Sequence, residues 1–344
     1  MKKTAIILMN LGGPDKLSSV KPFLFNLFYD KYIISLPNPF RWLLAKFIAT
    51  RREKFSQSIY EFMGGKSPIL EETENQKIAL EKHLKKYKFK DFEIFIYMRY
   101  WHPMAEEVAS KIEAYGADEV ILVPLYPYYS TTTTASSVAK LQKHLAHHNI
   151  KIRCCYYNMT GFIDAHVAAL QKPLSKITNN HILFFSAHGI PQRLVDGGDP
   201  YEYQLQKSVE MIVKKLAIKN LNYKITFQSK VGPLEWLKPY TEDEIIAASK
   251  AGQDIYIVPI AFVSEHAETL VELDIEYKEL ANENGCSAYT RLPALSASKE
   301  YTNFLAQEVV KISKSKKNII ASNDKKCPEK FGRCFCREFK DKLC

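Results

Sequence analysis

Nowhere in its 344 residues does the chain string together the eighteen or so apolar residues that a membrane-spanning helix needs. The opening "MKKTAIILMNLGGP" has two lysines and an apolar run, but the run is too short for a secretory core, lacks a small-residue cleavage site and ends in a glycine turn. It reads as a first buried strand, and a soluble, cytoplasmic protein is expected. Nucleotide signatures are missing: there is no G-x-G-x-x-G and no Walker lysine loop, and the glycines of "MGGKSP" (63–68) lack a strand-to-helix context. Zinc-finger spacing, an RNA-recognition signature and a basic-region helix are also absent, so the formal net charge of +10 does not point to nucleic acid. That charge suits an acidic lipid surface or a carboxylated small molecule. Glycine (13) and proline (16) are not in excess, which leaves disorder to the chain ends. Without export, the seven cysteines are expected to be reduced, available as metal ligands rather than disulfide partners.

What the chain does have is 46% hydrophobic residues, enough for a large core and two ordinary domains. Short runs rich in Ile, Val and Phe alternate with longer helical patterns, the mark of parallel α/β sheets. Three pairs of segments match in the same order. "AIILMNLGGP" (5–14) pairs with "ILFFSAHGIP" (182–191), "FEIFIYMRYWHP" (92–103) with "YKITFQSKVGP" (223–233), and "EVILVPLYP" (119–127) with "DIYIVPIAF" (254–262). The expected fold is therefore α/β, with two similar domains, each a parallel sheet flanked by helices, and a cleft between them. Residues 1–160 form the first and 161–313 the second; 314–344 form a lysine-rich linker and a cysteine-bearing tail. From Pro14 to Pro103 is 89 residues and from Pro191 to Pro233 is 42, so the first half carries 47 more, within an insertion at about 20–70. Its "WLLAKFIATRR" reads either as a core helix with a solvated end or as a hydrophobic lip beside a site or a membrane.

Ligands of open parallel sheets bind beyond the carboxyl ends of the strands. His188 follows an apolar strand there, and a neutral imidazole suits a proton acceptor or metal ligand as well as a local hydrogen bond. In "SEHAETLVELDIEYKEL", Glu265, Glu268, Glu272, Glu276 and Glu279 recur at steps of three and four, one acidic stripe on a helix with His266 beside it. Such oxygens hold or conduct a divalent cation, though a solvated acidic face has the same spacing. Cys327, Cys334, Cys336 and Cys344 fall within eighteen residues; they fit an iron–sulfur or zinc centre, or free thiols in an unstructured tail. Cys154 and Cys155 read as core.

Together these segments resemble the ferrochelatases, which insert ferrous iron into a porphyrin to make haem. The resemblance runs from about residue 4 to 312 and rests on "LMNLGGP", "YEFMGGKSP", "MRYWHP", "YPYYSTTTTASS", "SAHGIP", "GDPY", "QSKVGP" and "SEHAETLVELDIEY". It implies Fe²⁺ and protoporphyrin IX as substrates, with coproporphyrin III as the alternative, and a porphyrin or haem carrier as the reading of another class. It implies that His188 and Glu268, on opposite faces of the ring, divide proton acceptance and metal delivery, with Glu272 and Glu276 leading to Glu268; we read His188 as the proton acceptor and Glu268 as the metal port. Leu11, Tyr60, Tyr126, Trp236 and Phe262 match the lining, with His266 in the same motif as Glu268. Arg51, Arg52, Ser67 and Arg99 match positions near the macrocycle or its propionates. The family's peripheral membrane association strengthens the lip reading. Some members carry a [2Fe–2S] cluster on C-terminal cysteines; the animal enzymes recruit one more from the "YPYYS" loop, where this chain has Thr131, so that arrangement does not apply, and the resemblance to some bacterial members implies the four tail cysteines as ligands.

Overall fold

The computed structural model describes residues 2–324 and 326–339. Two parallel sheets carry it. The first contains β1 (Thr4–Asn10), β2 (Phe92–Met98), β3 (Glu119–Pro124), β4 (Ile150–Arg153) and, from far down the chain, β9 (Ile319–Ile320), in the order β2-β1-β3-β4-β9. The second contains β5 (His181–His188), β6 (Tyr223–Gln228), β7 (Asp254–Pro259) and β8 (Tyr289–Arg291), in the order β6-β5-β7-β8. All pairs are parallel. The first four strands of the five-stranded sheet follow the same order as the four of the other, which bears out the repeat read from the sequence. All seven residues of β1 are buried, because helices cover both faces of such a sheet; its apolar run is continuous for that reason.

The helix Lys299–Lys314 lies in the sequence stretch assigned to the second half, yet it packs on β3, β4 and the helix Ile69–Lys86 of the first. It also meets the helix Thr160–Gln171 at Gly161, where a Cβ would come within 2.7 Å of Phe304 Cδ2. Its buried face (Tyr301, Phe304, Leu305, Val309, Ile312) requires an apolar partner, and the first sheet supplies it. One core thus runs through residues of both sheets. The lysine-rich stretch after it is no free linker: Ile319 and Ile320 pair with Ile152 and Arg153.

The insertion forms two packed helices, Val20–Phe28 and Phe40–Glu61. The second continues past Arg51 and Arg52, and it turns small residues inward (Ala45, Ala49) and large apolar ones outward. Phe40 and Phe47 are each 63% exposed and Leu43 55%. A core helix would have the reverse arrangement, so the core reading of this segment fails. Among the described residues, no helix is long and apolar enough to cross a membrane.

Candidate active site

The carboxyl ends of β5, β6 and β7 converge. His188 closes β5 and stands in register with Gln228, the last residue of β6. His188 Nδ1 lies 3.1 Å from Glu268 Oε2, and both side chains are about one-third exposed, at 35% and 32%. A flat ring in contact with both would hold them about 7 Å apart, two carbon contacts of roughly 3.5 Å. As they stand, the two side chains are in direct contact, closer than a ring held between them would allow. Trp236 and Phe262 stand edge-on to His188 at 6.2 and 6.4 Å between centroids, and His266 packs on Phe262 at 4.5 Å. The Tyr201 hydroxyl donates to the His188 carbonyl at 2.9 Å.

Burial opposes the charge on Glu268, but His188, by charge and hydrogen bond, and then His266, hold its pKa down to about 2. Burial also opposes charge on His188; Glu268 outweighs it and raises the imidazole's pKa. His266, where burial prevails, is shifted down. The segment Glu268–Glu276 is wound as a π-helix, whose i→i+5 bonds are rare outside functional sites. Glu272 accepts from Gln228, Ser229 and Tyr277, and burial followed by the Glu268 charge raises its pKa. Glu276 and Glu279 are exposed. Glu265 does not belong to the stripe: it precedes the helix and pairs with Arg291 at 2.6 Å.

From the first half, Tyr60 is buried, and after burial itself the Glu268 charge is what raises its phenol pKa, so the insertion reaches the site. Leu11 and Ala267 pack on the same apolar cluster as Tyr60. Arg51 is exposed; Arg52 is half-buried, its pKa lowered by burial, with no acid partner among the described residues. Ser67 packs on the turn after β1, where a Cβ on Gly13 would come within 2.5 Å of it. Tyr126 lies near Arg99, whose charge partly offsets the rise that burial imposes on the phenol. Arg99 itself is bound at 2.8 Å to both Asp30 Oδ2 and Ser136 Oγ. Its guanidinium is committed within the protein, and Asp30 went unnoticed in the sequence because it lies 69 residues away with no motif around it. Gln228 and Ser229 were missed too: they lie in "TFQSKVG", and only the register of β5 with β6 sets Gln228 beside His188.

Cys327, Cys334 and Cys336 are buried; Cys344 lies outside the described residues. Cys154 joins them: its Sγ lies 3.3 Å from Cys336 Sγ and 3.4 Å from Cys155 Sγ. Hydrogen bonds from Cys327 and Cys336 make Cys334 the thiol that ionises first. Cys327 also accepts from Gln204 Nε2 at 3.3 Å. Among the described residues no set of three or more side chains stands arranged around a metal position. Five free, buried thiols, Cys154, Cys155, Cys327, Cys334 and Cys336, nonetheless come together from two distant segments.

Over residues 3–312 the chain matches the family model described as Ferrochelatase. It is 52% identical to the curated ferrochelatase of Rickettsia bellii (strain OSU 85-389) over 343 residues, spanning 97% of this chain and 95% of that one. The Rickettsia felis ferrochelatase is also 52% identical, over 340 residues and 98% of each chain. That of Wolbachia sp. subsp. Drosophila simulans is 50% identical over 311 residues, 88% of this chain and 98% of its own. Among solved structures, SirB from Bacillus subtilis with Fe³⁺ superposes with a TM-score of 0.53 at 11% identity, over 91% of this chain and 96% of SirB. The sirohydrochlorin chelatase SirB from Bacillus subtilis subspecies spizizenii, in complex with cobalt, gives 0.51 at 10% identity, over 90% and 95%. At such identities the likeness carries the fold alone.

Proposed function

The chain belongs to the ferrochelatase family, enzymes that chelate iron into a porphyrin, and from that premise we propose that it inserts Fe²⁺ into protoporphyrin IX with His188 and Glu268 working from one face of the ring. One observation carries the residue assignment. Glu268 Oε2 is bonded to His188, while Oε1 has no hydrogen bond among the described residues and is open to a cation. The carboxylate stays ionised because the adjoining imidazoles favour its charge. Insertion replaces two pyrrole N–H protons by one Fe²⁺. His188, when neutral, accepts the two protons one after the other and passes each to solvent, and Glu268 stabilises the imidazolium formed each time. Trp236, Phe262, Tyr60 and Leu11 offer the apolar surface that presses on the ring, and a bent ring exposes its nitrogens to the pair. Arg52, half-buried without an acid, suits a propionate.

The exposed Phe40, Leu43 and Phe47, with Lys46 4.9 Å from the Trp42 ring and Arg41 nearby, support peripheral contact with a membrane. A lipid-soluble porphyrin with two propionates fits delivery there better than one with four, which favours protoporphyrin over coproporphyrin III. For the tail, Cys327, Cys334, Cys336 and one of Cys154 and Cys155 would hold a [2Fe–2S] cluster, with Cys344 not required. Such a cluster supplies a cross-link between the tail and the first sheet and a one-electron centre.

Anaerobic metalation of protoporphyrin IX and of coproporphyrin III by the purified protein tests the reaction. Preference for coproporphyrin would overturn the substrate assignment, and no rate above spontaneous metalation with either would overturn the enzyme. Visible iron–sulfur absorbance lost on Cys334→Ser is expected for the cluster; colourless protein without iron or sulfide excludes it.

A further inference from the structure

Glu272 stands between exposed Glu276 and Glu268, where a row of carboxylates would hand a cation inward. Its acceptor positions are all taken. Oε1 accepts from the Ser229 backbone N–H at 2.9 Å and the Tyr277 hydroxyl at 3.0 Å. Oε2 accepts from Gln228 Nε2 at 2.9 Å and Ser229 Oγ at 2.5 Å. A carboxylate offers about four lone-pair sites, so none remains for an ion.

Nor do these donors swing aside easily. Gln228 is 2% exposed, and its amide oxygen accepts from Ser186 Oγ at 2.7 Å, which fixes the orientation of its amide. Tyr277 is buried. Ser229 has φ +64°, a left-handed conformation uncommon outside glycine, and it aims both its N–H and its Oγ at one carboxylate. The Gln228 amide also donates to the Glu268 backbone carbonyl at 3.0 Å. Its two N–H groups thus tie Glu272 to the first residue of the π-helix. Resting on the ferrochelatase reading above, we infer that Glu272 is a positioning residue that sets Glu268 through Gln228, and not a ligand through which the cation passes.

Steady-state metalation of full-length protein, with Fe²⁺ varied at saturating porphyrin, separates the two roles. Glu272→Gln sets an amide N–H₂ against the N–H donors of Gln228 or Ser229. Because bonds to charged groups are at stake, it should lower kcat about 10- to 100-fold while KM for iron changes less than about twofold. Ser229→Ala, which removes one donor, should lower kcat by about 3- to 10-fold with iron KM again unchanged. A relay ligand gives the opposite split: iron KM rises with kcat kept in Glu272→Gln, and it falls in Ser229→Ala as a lone pair comes free. That result, or no effect of either substitution, overturns the inference. If Glu272→Gln fails to fold by circular dichroism, Ser229→Ala alone carries the same split. Wild-type protein inactive on both porphyrins would instead defeat the ferrochelatase reading, so the two failures are distinct.

Discussion

Asp30→Asn should be among the most destabilising single substitutions in the chain, at about 3–5 kcal/mol. Asp30 is 6% exposed and the Arg99 side chain 14%, and they meet at 2.8 Å. At an effective dielectric of about 20 that separation corresponds to roughly 6 kcal/mol of attraction, most of it offset by desolvating both charges. Intact, the pair contributes little net; broken, it leaves a buried cation without its counter-charge. The geometry sharpens the loss. Oδ2 accepts from Arg99, the Tyr100 hydroxyl and Ser136, while Oδ1 accepts from the Tyr32 N–H at 3.0 Å. An asparagine can turn its oxygen to only one side, so its amide N–H₂ must face a donor on the other. Arg99→Met keeps the apolar stem and leaves Asp30 its other donors, so it should cost less, about 1–3 kcal/mol. Guanidinium denaturation of wild type, both single variants and the double variant gives the coupling energy. A coupling below about 1 kcal/mol, the value of an exposed pair, would refute the commitment of Arg99 to Asp30. It would return the guanidinium to the propionates, the role expected from sequence, and Arg99→Met would then raise the porphyrin KM at unchanged stability.

Glu268→Gln should move the acid limb of the kcat/KM profile to lower pH. His188 accepts a proton only when neutral; burial lowers its pKa, and Glu268 more than reverses this, so wild-type activity rises through a pH above the usual 6.5. An unmoved limb would remove His188 from the acceptor role. His166→Phe should flatten the acid loss of stability. His166 is buried beside Phe162, and burial lowers its pKa to about 3. The unfolded chain therefore binds a proton below pH 6.5 that the native state refuses. Stability is full above that pH and falls by up to about 1.36 kcal/mol per pH unit towards 3. Equal slopes for wild type and variant would refute it. Phe40→Ser, Leu43→Ser and Phe47→Ser combined should reduce co-sedimentation with anionic vesicles while changing stability by about 0.5 kcal/mol or less per site, since all three are exposed. Undiminished sedimentation would count against the lip as a membrane contact.

The fold was legible because parallel strands covered on both faces leave continuous apolar runs, and here the runs recur in one order. "AIILM" and "ILFFS" are inner strands of their sheets, each flanked by the strands that the other matched segments form. His188 was legible for the same reason, since a histidine that ends such a run stands at the carboxyl edge. The exposed lip was only half legible. Composition identified its apolar residues, but Ala45 and Ala49 decide which face turns inward, and no periodicity argument gave small residues that weight. The Arg99–Asp30 contact was not legible because Asp30 sits in an unremarkable stretch; a charge read without its counter-charge looks available.

The remaining differences have one physical origin: what a side chain can bind depends on what already binds it, and those neighbours come from distant segments. The Cys154–Cys155 pair directly follows β4, and the chain after β9 leaves the same sheet edge, because parallel neighbours point their carboxyl ends the same way. A two-residue strand leaves no readable pattern, so the tail cysteines were grouped with one another, where the fold brings three of them to Cys154 and Cys155. The acidic stripe follows the same logic. Steps of four line up Glu268, Glu272 and Glu276 in the sequence, and the π-helix keeps that order. Alignment makes a row of carboxylates, but only an unoccupied oxygen makes a port. Among the described residues, Glu268 has such an oxygen and Glu272 has none, and the difference is set by Gln228 and Ser229, which lie some forty residues away at the end of β6.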